Sequence, residues 1–194
     1  MALETLPNRE LPYSTEAEKA VLGGIMLKNE TWDLISDLVK EDDFHKEEHK
    51  LIYRTINDLQ DAGKPVDVIT VQEAIEGNGD LPKLINSGGK DYLALLAKET
   101  PSVANIQSYA DIIKQRSNLR RLIIAADNIS KVAKESDASG SDRIIDEAEE
   151  KILSLRDDLN RSIGPREVKE LLGPVYADIQ ESSESGNSLV GVST

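Results

Sequence analysis

The sequence contains no cysteine, and aromatic residues make up only 4% of its 194 positions. The absence of cysteine excludes disulfides, iron–sulfur clusters and thiolate zinc sites. The scarcity of aromatics predicts a core of Leu, Ile, Val and Ala. No apolar run approaches the ~20 residues of a membrane span, and the N-terminus lacks the apolar segment of a signal peptide. We therefore expect a cytoplasmic protein with no membrane partner.

Basic residues are also too few for a general nucleic-acid surface. Lys and Arg number 23 against 36 Asp and Glu, which gives a net charge of -13. Binding to phosphates needs clustered cations, so this balance predicts little direct DNA binding. A small basic cluster, Arg116, Arg120 and Arg121, has no interleaved aromatics on which bases could stack. We expect its cations to pair with acidic residues of the opposing hairpin helix or of another subunit.

The first predicted helix begins near residue 15. Thr15 and Glu18 match the spacing of a capping box, in which each side chain accepts from an otherwise unpaired backbone N–H. Gly23 and Gly24 lie inside this helix, where each costs ~1 kcal/mol relative to Ala. We therefore expect another helix to approach closely at the two glycines.

Further short helices are predicted in the region that follows. They cover 31–39, 47–62, 70–75 and 92–97. Thr70 and Glu73 form a second capping-box pattern, and 66–69 is predicted to be an extended connector before it. Gly63 and Pro65 end the second of these helices.

The pattern changes after Pro101, because no Pro or Gly occurs from 103 to 134. A long helix is predicted there, with one stripe made of Ile106, Ala110, Ile113, Leu122, Ala126, Ile129 and Ala133. A second helix over 143–161 repeats apolar residues every three or four positions, as in a coiled-coil seam, at Ile145, Ala148, Ile152, Leu155 and Leu159. The polar segment 136–141 between them predicts an antiparallel helical hairpin.

A third amphipathic element follows Gly164 and Pro165. Its stripe comprises Val168, Leu171, Leu172, Val175, Tyr176 and Ile179. Periodicity alone leaves open whether this helix docks on a neighbouring chain or folds back on its own domain. The predicted fold is all-α: an N-terminal arm (1–13), a globular helical head (14–102), a helical hairpin (103–161), and a linker helix with a flexible tail (162–194).

Catalytic motifs are scarce. His45 and His49 with Glu48 match the H-x-x-E-H pattern of some zinc hydrolases. These are the only histidines, so a third ligand would have to be a carboxylate, and acidic residues in the first turn of a helix explain the pattern equally well. Gly88-Gly89-Lys90 lacks the other residues of a phosphate loop. We expect no catalytic site, metal or cofactor in this chain.

Sequence blocks between 14 and about 155 occur in a recognisable order. They are STEAEKAVLGG (14–24), DF (43–44), His49, IY (52–53), GKPVDVITV (63–71), GG with YL (88–89, 92–93), TPSVANI (100–106), YA (109–110), LRRLI (119–123) and DEAE (146–149). Together they resemble the N-terminal region of bacterial or phage replicative DNA helicases of the DnaB type. The last four residues, GVST, resemble the segment before the motor domain of that family.

The resemblance implies an oligomerisation domain without a motor. In this family the ATP- and Mg-dependent motor follows the N-terminal domain. The N-terminal domains pair through their hairpins, form a trimer-of-dimers collar on a hexameric ring, and dock the C-terminal domain of primase. A helicase loader is a further expected partner, and the linker helix packs on an adjacent motor. A free-standing helical scaffold remains the alternative, with a zinc hydrolase as the less favoured one.

Site residues follow from the resemblance and from the apolar stripes. Carried over by position, the residues that face primase are Glu16, Tyr92, Ile123 and Ile129, although the last three also suit an ordinary core. The hairpin stripes suggest as dimer-interface residues Ile113, Leu122, Ala126, Ile145, Ile152 and Leu155. The expected docking residues of the linker helix are Val168, Leu171, Leu172, Val175 and Ile179.

Overall fold

The computed structural model describes residues 11–135 and 141–161, with side chains at 85, 86, 142 and 156–161 left undescribed. These residues form seven α-helices: α1 (Thr15–Leu27), α2 (Trp32–Ile35), α3 (Glu47–Asp61), α4 (Val68–Gly77), α5 (Asp91–Glu99), α6 (Ile106–Glu135) and α7 (Ser141–Arg161). No strand occurs in these ranges, so the all-α prediction is confirmed. None of the helices within them is long and apolar enough to cross a membrane.

The head is built around one aliphatic core. Helices α1, α3, α4 and α5 contribute most of its buried side chains, among them Val21, Leu22, Ile25, Ile52, Ile56, Val71, Ile75, Leu93 and Leu96. Phe44 and Tyr53 are the main aromatic members, with ring centroids 4.8 Å apart. Ile106, Ala110 and Ile113 of α6 complete this core. The first turns of α6 therefore belong to the head, and the helix continues outward from it.

The two glycines of α1 lie where two other segments approach. A Cβ atom on Gly23 would stand 2.3 Å from the carbonyl oxygen of Leu96 in α5. One on Gly24 would stand 2.8 Å from Cδ1 of Ile106. The expectation of a close helix at this pair is confirmed, and the low helix propensity of glycine is offset by this packing.

The N-cap of α1 and the start of α4 differ from the predicted ones. Ser14, not Thr15, caps α1, and its hydroxyl accepts from the N–H of Ala17 at 3.2 Å. Helix α4 begins at Val68 rather than at 70, because Asp67 accepts from two backbone N–H groups and exchanges a capping box with Thr70. The predicted extended connector and the second predicted capping box are therefore wrong.

The predicted helix over 31–39 is also wrong in length. A 3-10 turn, Asn29–Thr31, leads into α2, which ends at Ile35. The predicted helix over 47–62 matches α3, and the one over 92–97 lies within α5.

Helices α6 and α7 form the hairpin. The 30 residues of α6 span ~45 Å at ~1.5 Å per residue. Near its far end Ile129 and Val132 share a groove with Ile144 and Ala148 of α7. Nearer the head, Leu155 of α7 borders a groove of about 370 Å³ that is lined by Gln115, Asn118, Leu119, Arg121 and Leu122 of α6. This order of contacts makes the two helices antiparallel.

Candidate functional site

A buried polar chain joins α1, α3 and α5. Glu18, His49 and Tyr92 are 1%, 0% and 5% exposed. The Nδ1 atom of His49 lies 2.6 Å from Oε2 of Glu18, and its Nε2 atom lies 2.6 Å from the hydroxyl of Tyr92. Both ring nitrogens are thus engaged inside the head, which lets three polar side chains remain buried.

The same carboxylate caps a helix from a distance. Lys46, the N-cap residue of α3, provides no side-chain hydrogen bond. Instead Oε1 of Glu18 accepts from the N–H of His45 at 2.8 Å, and Oε2 accepts from the N–H of Lys46 at 3.5 Å. A negative charge is favourable at a helix N-terminus, so Glu18 of α1 does for α3 what a local capping residue usually does.

The proton positions in the hydrogen-bonded network of Glu18, His49 and Tyr92 follow from the protonation of Tyr92. Burial, followed by the nearby charges of Glu48 and Glu18, raises the pKa of Tyr92 to about 12. Its hydroxyl is therefore protonated at neutral pH and can donate to Nε2 of His49. The Nδ1–H of His49 then donates to Glu18, so both ring nitrogens of His49 and the hydroxyl of Tyr92 have partners.

A second buried carboxylate fixes the base of the hairpin. Asp43 is fully buried, and its carboxylate accepts from Ser117 Oγ at 2.7 Å, Lys114 Nζ at 3.0 Å and Arg121 Nη2 at 3.0 Å, all on α6. Its Oδ2 also accepts from the N–H of Lys40 at 2.9 Å. Charge-assisted hydrogen bonds of this kind are the stronger class, so α6 is held at a defined orientation to the head.

Arg120 links the same region to the start of the described chain. Its guanidinium donates to the carbonyl oxygens of Pro12, at 2.9 Å, and of Asp43. Burial lowers the pKa of Arg120. Nearby, the rings of Tyr13 and His45 stack with centroids 4.4 Å apart. Of the basic cluster, Arg121 pairs with Asp43 of the head, which is neither the opposing hairpin helix nor another subunit.

The zinc pattern is not assembled as a metal site. His49 uses both ring nitrogens for Glu18 and Tyr92. His45 stacks on Tyr13. Among the described residues no group of three or more His, Asp or Glu is placed to hold a metal ion. His49 therefore serves in structural hydrogen bonding and the ring of His45 in stacking.

Beyond the head, α6 presents three faces. One continues from the head core and carries the exposed Ile124, and a second faces α7. Because positions three, four and seven residues apart share one side of a helix, a third face can be read from the sequence. This outer face of α6 comprises Ile112, Arg116, Leu119, Ile123, Ala126, Asp127 and Ser130, of which Leu119 also borders the groove beside Leu155 of α7. Every one of these residues is exposed.

Helix α7 contributes two large aliphatic side chains on the side of the hairpin that carries the outer face of α6. Ile145 and Ile152 are 56% and 53% exposed and lie about a quarter turn from Ile144 and Ala148, which face α6. Viewed along each helix from its N-terminus, the outer face of α6 is rotated away from the residues that contact α7 in the same direction as Ile145 and Ile152 are rotated away from those that contact α6. Since the helices are right-handed and antiparallel, the two exposed sets lie on one side of the hairpin. Both helices therefore present exposed aliphatic side chains on that side.

The predicted site residues fall into different environments. Glu16, Leu122, Ile123, Ala126, Ile145 and Ile152 are exposed. Ile129 and Leu155 are half-buried in the hairpin seam. Ile113 and Tyr92 are buried in the head core, where a direct partner contact would need rearrangement. The linker-helix candidates Val168, Leu171, Leu172, Val175 and Ile179 lie outside the described residues.

Sequence reasoning missed the two buried carboxylates. The spacing assigns Glu18 to a local capping box, whereas it bonds groups 27 to 31 residues away. Asp43 belongs to no motif of its own, although it lies beside Phe44 in one of the family-like blocks. Single-sequence patterns carry little information on such long-range pairs.

Comparison with known proteins identifies the family. The family model described as the DnaB-like helicase N-terminal domain matches residues 10–115. A curated replicative DNA helicase DnaB from Buchnera aphidicola subsp. Baizongia pistaciae is 40% identical over 173 residues, which cover 89% of this chain and 37% of that protein. The chain thus spans well under half the length of this relative.

Solved structures of similar fold support the same family assignment. The N-terminal domain of DnaB helicase from Mycobacterium tuberculosis superposes with a TM-score of 0.66 at 28% identity, covering 74% of this chain and 99% of that one. A DnaB-like replicative helicase, solved in a study of its interactions with primase, superposes with a TM-score of 0.60 at 25% identity. The match covers 86% of this chain and 35% of that one. The residues that the family model matches include α1 to α5 and the start of α6, which carry Glu18, His49 and Tyr92 together with Asp43 and its partner Lys114. The chain therefore belongs to the DnaB-like helicase N-terminal domain family.

Proposed function

We propose that this chain is the assembly and recruitment domain of a replicative helicase. In this proposal its hairpins pair subunits, its head and hairpin surfaces recruit the C-terminal domain of primase, and ATP- and Mg-dependent unwinding takes place in a motor outside this chain. The parent protein acts in DNA replication in the cytoplasm as a hexamer, a trimer of dimers. The domain itself holds no cofactor and makes little direct contact with DNA.

The exposed aliphatic surface of the hairpin carries this proposal. Leu119 and Ile123 of α6 and Ile145 and Ile152 of α7 are between 39% and 56% exposed. Full burial of one such side chain is worth ~1.5–3 kcal/mol. Exposed aliphatic side chains on one side of a hairpin, in a protein of net charge -13, are typical of a protein interface.

The recruitment role has separate support. A family neighbour of similar fold was solved in a study of its interactions with primase. Of the positions carried over as primase-facing, Glu16 and Ile123 are exposed in this chain, and Ile129 is half-buried. We propose Glu16 and Ile123 as direct contacts. Tyr92, buried on His49, would act on a partner only by positioning α1 and α3.

Two further parts of the proposal concern assembly with other domains. The amphipathic segment 166–180 would dock on an adjacent motor through Val168, Leu171, Leu172, Val175 and Ile179. A helicase loader would be a transient partner of the assembled ring. Truncation of the chain after Arg161 should leave pairing and primase binding intact, because the hairpin precedes that point. Loss of either activity would show that the linker contributes to it.

The primary experiment measures solution mass by light scattering over a wide concentration range, with and without the cognate primase C-terminal domain. We expect dimers or a hexamer whose mass rises when primase is added. A strict monomer that is indifferent to primase would contradict both the assembly and the recruitment parts of the proposal.

A pair of neighbouring variants tests the surface. Ile123→Asp places a charge on the outer face of α6, so self-association or primase binding should weaken at least tenfold while the helical circular dichroism persists. Ile124→Asp is the matched control, because Ile124 is similarly exposed, at 49% against 39%, and points to another side of α6. Equal effects of the two variants, or none, would remove Ile123 from the interface.

A further inference from the structure

The described part of the chain starts at an anchor on α6. The carbonyl oxygen of Pro12 accepts from Nη1 of Arg120 at 2.9 Å. Arg120 is only 7% exposed, so this bond is largely shielded from water. Residues 1–10 come before the anchor in sequence. The fixed position of Pro12 beside α6 therefore limits the part of the surface that they can reach.

The side of α6 that packs on the head continues outward past this anchor. Ala110 and Ile113 are buried in the head core, and Arg120 follows on the same side of the helix. Ile124, one turn after Arg120, is 49% exposed. Asp127, at the edge of this side, is exposed and makes no ion pair or side-chain hydrogen bond within the described ranges. An exposed aliphatic side chain and an anion thus follow the anchor along α6.

The sequence before the anchor favours an extended chain. Pro7 and Pro12 fix their own φ angles, and each biases the residue before it, Leu6 or Leu11, towards an extended conformation. Arg9 is the single basic side chain of the N-terminal arm. The arm therefore offers one cation at a defined number of residues from the anchor.

The distances from the anchor match this cation to the exposed anion. Arg9 lies three residues before Pro12, which is ~10 Å of extended chain. Asp127 lies seven residues after Arg120, which is ~10.5 Å of helix. An arm that runs outward along α6 therefore brings Arg9 level with Asp127. On the way it passes over Ile124, which lies ~6 Å beyond Arg120.

We propose that residues 1–10 dock on α6 of their own chain, along the side that continues from the head core, with Arg9 paired to Asp127 and its aliphatic stem covering Ile124. An arginine stem packs on aliphatic surface while its guanidinium stays in water, which suits this half-exposed position. The inference goes beyond the proposed pairing and recruitment, because it concerns contacts within one chain. The docked arm would brace α6 beyond Arg121, its last bond to the head.

Intramolecular cross-linking tests this placement, because the chain has no cysteine of its own. Asn8→Cys and Lys131→Cys are combined in one full-length chain, where the proposal puts them ~13 Å and ~16.5 Å outward from the anchor. A short bismaleimide should link the two cysteines within one chain, so the product should keep the monomer mass on a denaturing gel.

The matched control combines Asn8→Cys with Glu150→Cys. Glu150 is exposed on α7, which packs on a different side of α6 from Ile124. The yield of the control should be roughly fivefold lower or less, because the effective concentration of the two thiols is smaller. Equal yields in the two double variants would mean that the arm has no fixed place on α6.

Other cross-linking results also overturn the inference. A link between positions 8 and 131 found only at the mass of a dimer would place the arm on a second copy. The absence of any link, in variants whose helical circular dichroism matches that of the parent chain, would place residues 1–10 away from this side of α6. These outcomes are read from one chain, so they stand apart from the light-scattering test of assembly.

Charge exchange tests the pairing of Arg9 with Asp127. In the chain that carries cysteines at 8 and 131, Arg9→Glu should lower the cross-linking yield about threefold in low salt, because an exposed ion pair becomes a repulsion. Adding Asp127→Arg should restore the yield. Asp111→Arg, at an exposed position of α6 on the head side of Arg120, is the matched control and should leave the yield unchanged. A double charge variant that links no better than Arg9→Glu alone would refute the pair.

Discussion

Gly23 provides the sharpest test of the head packing. Replacing it with Ala would put a methyl group 2.3 Å from the carbonyl oxygen of Leu96 and 2.1 Å from Oγ1 of Thr100. The hydroxyl of Thr100 donates to that same carbonyl at 2.8 Å, so it cannot move away without losing its bond. Relief of the clash requires α1 and α5 to separate by about 1 Å, given ordinary contact distances of ~3.5 Å.

The expected effect is a net loss of stability. Overpacking of this kind costs ~1–3 kcal/mol, and contact with a fixed backbone atom places it at the upper end. The better helix propensity of Ala returns about 1 kcal/mol. We expect the free energy of unfolding to fall by about 2 kcal/mol, measured by urea denaturation followed by circular dichroism. For a protein of this size the midpoint of thermal unfolding should fall by ~4–8 °C.

Gly77→Ala is the matched control, because Gly77 ends α4 and a Cβ atom added to it would have no atom within 4 Å. That variant should be neutral or stabilising by up to ~1 kcal/mol. The packing argument would be refuted if Gly23→Ala were as stable as the parent chain, or if both glycine variants behaved alike.

Two further variants probe the buried networks. Tyr92→Phe leaves Nε2 of His49 without a partner, which should cost ~1–3 kcal/mol of unfolding free energy. Burial raises the pKa of Tyr92 from 10.0 to about 12, so the parent chain should lose stability as pH rises from 10 towards 12. The loss should be smaller in Tyr92→Phe. Equal slopes of unfolding free energy against pH, from urea titrations of the two proteins, would contradict this reasoning. Asp43→Asn removes the charge that pairs with Lys114 and Arg121 and should cost ~2 kcal/mol, a value reduced from that of a fully buried pair because both cations are partly exposed. Its control, Asp42→Asn at an exposed neighbour, should be neutral, and similar losses in the two would count against the special role of Asp43.

Local periodicity predicts the long elements of this fold well. The predicted bounds of α3 and α6 are correct to within a few residues, since long amphipathic patterns and the proline and glycine residues that bound them are visible in one sequence. The glycine pair of α1 correctly indicates a close approach. Short elements are predicted less well: the start of α4 depends on Asp67, whose capping bonds outcompete the pattern at Thr70.

The polar interior of the head is beyond sequence reasoning for a physical reason. Glu18 and Asp43 are two acidic residues in a chain with 36 of them, and most acidic residues of such a chain are solvated. Their burial is possible only because partners from distant segments converge on them, such as His49 on Glu18 and Arg121 on Asp43. The hairpin stripe is predicted only in part: spacing groups Ile145 and Ile152 with Ala148 and Leu155, whereas the structure exposes the first two and places the other two beside α6.

The bonds at Asp43 have a mechanical consequence for the far end of the hairpin. From Arg121 to Glu135, α6 extends ~21 Å past its last bond to Asp43. A tilt of ~5° at that root would displace Glu135 by about 2 Å, enough to take aliphatic atoms out of their ~4.5 Å contact range. The accuracy with which a distant surface meets its partner therefore depends on the bonds of this carboxylate at the root of the helix, together with the core packing of Ile106, Ala110 and Ile113.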